Sequence, residues 1–364
     1  MTQEKIKVTP MRAHKMPQNF SLYAIHRVAG GADDEQFTIA LPFDITDGVR
    51  IEDISSSLRK GTFDFIKGRM GSDLAAKLES VQYALVHRYE PKPFLDEEGN
   101  WKGEEIFNQE SAKLVYNIAA CMRLIRPMRQ SAQLMQGAVR EDGTFDVQRF
   151  DHPLEFHEVP EVQKFFGIRN SDAEELRSRA PGFLHAMGGD FWKFRMAVDF
   201  HEAGHFQPWQ RKARYILWCC AIESLFTSHN LDHQGSLVAK ERIKWLLGEK
   251  TSIYAPGDIS TLLPQPDVSV GEVLNDLYKV RNFIAHGDRI PDSSFSTPRR
   301  QTFGDSVVEF EVLLEAASFI IRSTLLKILR EGLLVHFADA AAAEAYFGKA
   351  GLTKSKLKKL KKSS

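Results

Sequence analysis

The chain is poor in cysteine. It has three in 364 residues, Cys121 and the adjacent Cys219 and Cys220, with no Cys-x-x-Cys pair among them. A disulfide framework has nothing to build on, and two neighbouring thiols in an apolar stretch read as core. Long apolar runs are missing too. No segment approaches the roughly 18 consecutive apolar residues of a membrane span, and the opening MTQEKIKVTPMRAHKMPQNF carries no apolar signal region. The expectation is a soluble, cytoplasmic protein with no membrane partner. An excess of one charge is also absent: 48 Lys and Arg balance 48 Asp and Glu. The overall field therefore demands no polyanionic partner. Internal repeats are not visible.

What is present is an ordinary globular composition, 43% hydrophobic and 26% charged, on a chain long enough for two domains. The patterning predicts an α+β protein: a mixed α/β domain over 1–187, an all-α bundle over 188–335 and an extension over 336–364. Phe20, Leu22 and Ala24, then Phe37, Ile39, Leu41 and Phe43, alternate as half-buried strands do. Helical spacing appears over 51–67 and 110–126, and Asp142-Gly143 marks a hairpin. DHPLEFHEVP, 151–160, reads as a connector, and Ser171 with Glu174 as the capping box of a short helix.

From Gly188 the pattern is helical only. FWKFRMAVDFHEAGHF predicts a helix interrupted near Pro208, and ARYILWCCAIESLF, 213–226, one that is apolar nearly all round and hence buried. KERIKWLLG, 240–248, is another. Ser269 and Glu272 form a capping box for a helix stopped by Gly287, and a long helix spans 306–329. The tail over 353–362 reads TKSKLKKLKK, so Lys354, Lys356, Lys358, Lys359, Lys361 and Lys362 stand there without an acid. Such a run is a solvated end or a contact to nucleic acid through counterion release.

Three spacings suggest chemistry. Gly248-Glu249-Lys250-Thr251 resembles the end of a phosphate loop but fails, because Glu249 and Lys244 stand where that loop needs glycine. His201-Glu202-Ala203-Gly204-His205 has the His-Glu-x-x-His form of zinc peptidases. Histidines four apart share a helix face, and Glu202 would act as general base on a metal-bound water. Zinc needs a third protein ligand. Pro208 and Arg211 occupy the positions where a longer form of the motif has glycine and histidine, and Glu223, the nearest downstream acid, is wanted elsewhere. His201 and His205 then read as a chance pair, solvated near a helix end, with no metal or other cofactor expected.

The third spacing is in LYKVRNFIAHGDR, 277–289. The helix from Val270 has an apolar stripe through Val273, Leu274, Leu277, Val280 and Ile284, and Arg281 falls inside it. A charge there is costly unless paired. Glu223, on the apolar helix 213–226, is in the same position and is the obvious partner. Asn282 and His286, four apart, share a side of the helix. Arg281 and His286 lie about 140° apart on a straight helix, so a two-fold dimer is one way to converge them.

Arg281-Asn282-Phe283-Ile284-Ala285-His286 resembles the R-N-x-x-x-H motif of the HEPN superfamily. With Gly287 and the upstream AIESLF, it is similar to the ApeA-like branch of bacterial abortive-infection proteins. The resemblance covers about 191–332. It implies a homodimeric, metal-independent endoribonuclease in anti-phage defence, cleaving tRNA or messenger RNA to a 2′,3′-cyclic phosphate and a 5′-OH. His286 would exchange protons with the 2′-OH and the leaving oxygen, Arg281 would hold the phosphate, Asn282 would orient backbone or histidine, and Glu223 would fix Arg281. The N-terminal domain would sense a phage component or position RNA. Asp288 stands where antitoxin-paired members carry tyrosine, so a nucleotidyltransferase partner is not expected. Some members of the superfamily serve instead as non-catalytic dimerisation or RNA-binding modules.

Overall fold

A computed structural model describes residues 18–25, 39–58, 76, 81–99, 101–105, 107–126, 134–150, 168, 170–205, 210–227, 235–253, 268–290 and 307–353. The connector at 151–160, Phe37 and the lysine run from Lys354 to Lys362 lie outside them. The protein is α+β. Six antiparallel strands form a sheet in the order β2 (Phe43–Thr46), β3 (Val49–Asp53), β4 (Tyr83–Tyr89), β1 (Gln18–Ile25), β7 (Leu134–Val139), β8 (Phe145–Phe150). A separate two-stranded ladder joins β5 (Lys92–Leu95) to β6 (Trp101–Glu105).

Alternation in β1 sends Phe20, Leu22 and Ala24 to one face and Tyr23 and Ile25 to the other. Both sets are buried, so the strand is not half-buried as its pattern suggested. The hairpin at Asp142-Gly143 is present, with Gly143 at φ 84°. Helical spacing at 51–67 misleads at its start. Ile51 lies in β3, and a turn after Ile54 carries Leu58 to a bridge with Phe145. Ile54 and Leu58 then pack on the sheet face opposite Ile51, so a spacing of three and four arises from a strand followed by a reversal.

Eight α-helices follow or cover the sheet among the described residues: α1 (Gln109–Ile125), α2 (Asn170–Gly188), α3 (Trp192–His205), α4 (Arg211–Phe226), α5 (Gly235–Leu247), α6 (Val270–His286), α7 (Val307–Arg330) and α8 (Ala340–Lys349). A short 3-10 turn, Leu334–Phe337, precedes α8. Helix α2 starts at Asn170, so Ser171 lies inside its first turn, and it runs 19 residues through Pro181 rather than being short. Helices α1 and α2 pack together, α1 also on β1 and β4, and α2 also on β2. Helices α3 to α7 pack on one another. One continuous core links the Tyr23 face of the sheet, through Ile118 and Phe183, to Trp218, Leu277 and Ile320 in the helices.

Candidate functional site

Helix α6 is defined at both ends by local chemistry. The Ser269 hydroxyl and Glu272 carboxylate complete the capping box, and Gly287 adopts φ 73°. The Gly287 amide donates to Ile284 O and the Asp288 amide to Phe283 O, closing the last turn. That stop leaves Asn282 and His286 exposed at the helix end. Arg281 turns inward and its Nη2 donates to Glu223 Oε2 on α4 at 2.8 Å, while Nη1 donates to Asn282 Oδ1 at 3.2 Å. The structure thus brings together Glu223, Arg281 and Asn282, with His286 one turn beyond Asn282.

The pair is half-buried, at 29% and 26% side-chain exposure for Arg281 and Glu223, so the guanidinium is held and still reachable from solvent. Burial pushes the Glu223 carboxyl above the usual range, and Arg281 only partly draws it back. The surroundings of the pair carry no signal at the level of motif. Tyr215 on α4 donates its hydroxyl to Leu277 O on α6 at 2.6 Å, pinning the two helices that carry the pair. Tyr278 lies buried one turn before Arg281, and burial and the Glu223 charge both raise its hydroxyl. Lys193 and Arg242 close the end of α4: Lys193 Nζ donates to Ser224 O and Thr227 O at 2.5 Å, and Arg242 Nη1 to Phe226 O at 2.9 Å. Burial, with Arg242 nearby, pushes the Lys193 ammonium down to about 8.

The His201–His205 pair is not solvated, which corrects the expectation from sequence. Their exposures are 1% and 3%, because the α3 face carrying them lies against α4. Gly204 allows that approach: a Cβ there would meet the Trp218 indole at 2.4 Å. Trp218 Nε1 donates to His201 O at 3.1 Å, and the two imidazole Nε2 atoms lie 3.2 Å apart. Ligand atoms of His201, Glu202 and His205 fall within 4.8 Å of one another.

The Glu202 carboxylate, however, is already engaged. Buried Arg123 on α1 donates Nε and Nη2 to its two oxygens, and His201 Nδ1 lies 3.4 Å from Oε1. Burial pushes this carboxyl up, but Arg123 and His201 outweigh it and hold it well below the carboxylate range. Arg123 also donates to the Tyr23 hydroxyl on β1 at 2.6 Å. A general base cannot be fully ionised, saturated by a bidentate arginine and free for a water at once. A divalent ion here would add two charges beside a guanidinium without a free anionic ligand. The cluster reads as the electrostatic joint between sheet and helices.

Compared with known proteins, the chain matches no protein-family model, no curated protein and no solved structure. Among the described residues no helix is long and apolar enough to cross a membrane.

Proposed function

We propose that this chain is a metal-independent endoribonuclease of the HEPN type, acting as a homodimer in anti-phage defence or growth arrest. The observation that carries the reading is the Arg281–Glu223 pair, which holds a guanidinium beside exposed Asn282, on the helix whose last turn exposes His286. Glu223 acts on Arg281 as a positioning residue, and Tyr215 does the same through the helix backbone.

In the proposed reaction the His286 imidazole takes the proton of a ribose 2′-OH. The 2′-oxygen attacks phosphorus, the bond to the 5′-oxygen breaks, and a proton from an imidazole reaches that leaving oxygen. Atoms balance as a 2′,3′-cyclic phosphate and a 5′-OH. Arg281 stabilises the charge that builds on the phosphoryl oxygens. Because Arg281 and His286 diverge by about 140° on one helix, a second copy of α6 supplies the missing group. The sheet half then has the role of receiving a phage-derived signal, and transfer RNA or phage and host messenger RNA are the substrates.

The test is incubation of total tRNA with wild type and His286→Ala in EDTA, followed by end-group analysis. Cyclic-phosphate ends from wild type alone support the assignment. Cleavage by both proteins would sink it, and RNA bound but uncut by wild type would leave a non-catalytic RNA-binding module.

A further inference from the structure

Helix α4 sets Tyr215, Cys219 and Glu223 at steps of four, one row along its length. Leu277, Tyr278 and Arg281 stand on α6, which packs against it. Two contacts across this seam are matched: Tyr215 donates to Leu277 O at 2.6 Å and Arg281 Nη2 to Glu223 Oε2 at 2.8 Å. Tyr278 is the exception. It is 3% exposed, and its hydroxyl is buried with no hydrogen-bond partner among the described residues. Lys240 on α5 flanks the ring, its Nζ 5.7 Å from the centroid. A buried hydroxyl left unmatched is costly, and native folds seldom keep one without a use.

The neighbouring ion pair supplies a use. Arg281 holds Glu223 through one bond, and its Nη1 is engaged by Asn282 Oδ1 at 3.2 Å. A phosphate gripped by the guanidinium fork competes for the same two nitrogens. As charge builds on the phosphoryl oxygens, the guanidinium is drawn to them and its hold on Glu223 weakens. Glu223 is then a half-buried carboxylate short of its cation, a costly state unless another donor takes over. The Cys219 and Cys220 thiols also face it but are weak donors, and burial and the Glu223 charge both push them up.

We propose that Tyr278 is a positioning residue of the α6 site, its hydroxyl being the donor that Glu223 takes up as Arg281 turns to the scissile phosphate. The inference rests on the ribonuclease reading for the phosphate. It adds a second group that answers to Glu223, one turn from Arg281 on the same side of α6. A phenol donating to a carboxylate makes a charge-assisted bond, so the gain at Tyr278 offsets the loss at Arg281. A Tyr278 with a purely structural role would already be bonded in the resting protein, as Tyr215 is.

The test is a double-mutant cycle on the full-length protein, read by carbon-detected NMR of the Glu223 carboxyl. With Arg281 intact, Tyr278→Phe leaves the titration midpoint where it is. In Arg281→Ala, where the carboxylate has lost its cation, the same change raises the midpoint by roughly one pH unit. Equal effects in both backgrounds, or none in either, overturn the exchange. Thermal unfolding gives a second readout: Tyr278→Phe melts no lower than wild type, because no bond is lost. A marked drop would show a hydroxyl already bonded at rest, and overturns the proposal too. In cleavage of total tRNA, Tyr278→Phe lowers kcat on the order of tenfold with KM little changed, since the exchange is completed only as the transition state forms. Coupling at Glu223 in a protein that cuts no RNA keeps the exchange of donors and rejects the nuclease, and cleavage without coupling does the reverse.

Discussion

Glu223 holds its charge against its surroundings, and the consequence is measurable. Its folded-state pKa is raised by burial, so the folded protein keeps the proton to higher pH than the unfolded chain. Its contribution to stability is therefore greatest at low pH and declines as pH climbs from the unfolded value toward the raised folded one. Arg281→Ala removes the opposing attraction, and the Glu223 carboxyl titrates higher still. Carbon-detected NMR of the carboxyl reads this directly, and an unchanged midpoint would show that the two groups do not couple. Glu223→Gln keeps the shape but removes the charge-assisted bond, worth about 1.5–3 kcal/mol. On the proposed ribonuclease reading, cleavage then falls roughly tenfold to a hundredfold, because Arg281 loses its anchor. This pair was legible in the sequence because each charge interrupts an apolar surface and so requires a partner. Tyr215 was not, since its acceptor is the backbone carbonyl of Leu277, and any residue offers one.

The elements are joined by a second ion pair with the opposite pH behaviour. Glu202 is held below the carboxylate range, so its stabilisation is complete above the unfolded pKa and is lost as pH falls through the folded one. Arg123→Met alone strands that carboxylate and costs about 3–5 kcal/mol. Arg123→Met with Glu202→Leu recovers most of the loss. Denaturant melts of the three proteins at neutral pH check this, and an additive double mutant would refute the coupling. Lys193 gives a third signature. Its folded pKa of about 8 lies below the ordinary value, so between those limits the unfolded chain binds more protons. The unfolding free energy of wild type relative to Lys193→Met therefore rises from pH 8 toward pH 10, and a flat difference would contradict the burial of its ammonium. Local codes were legible at this scale, as in the Ser269 box and the Gly287 stop, because a few adjacent residues decide them. Arg123 and Glu202 are 79 residues apart, and each reads alone as the polar side of an amphipathic helix. The spacing of Ile51, Ile54 and Leu58 likewise fits a helix until the partner strand β4 is known.

At the scale of the whole molecule, divergence of Arg281 and His286 predicts complementation. On the proposed ribonuclease reading, a mixture of Arg281→Ala and His286→Ala chains, unfolded and refolded together, regains cleavage that neither variant has alone, because a shared dimer site would then be intact once. No recovery in a verified heterodimer would place both groups in one protomer. Composition and periodicity sufficed to predict α+β with the helices toward the C-terminus, but they carried no information about how sheet and helices share a core. Tyr23 on β1, Arg123 on α1 and Glu202 on α3 form one bonded set. A fragment starting at Gly188 would retain the acid and lose both its cation and the apolar cover of α1 and α2. A foreign N-terminal partner grafted onto this helical half must therefore either bring a cation to the depth of Glu202 or meet an apolar side chain put in its place, so a cut at Gly188 divides the chain through a buried charge and not at a seam.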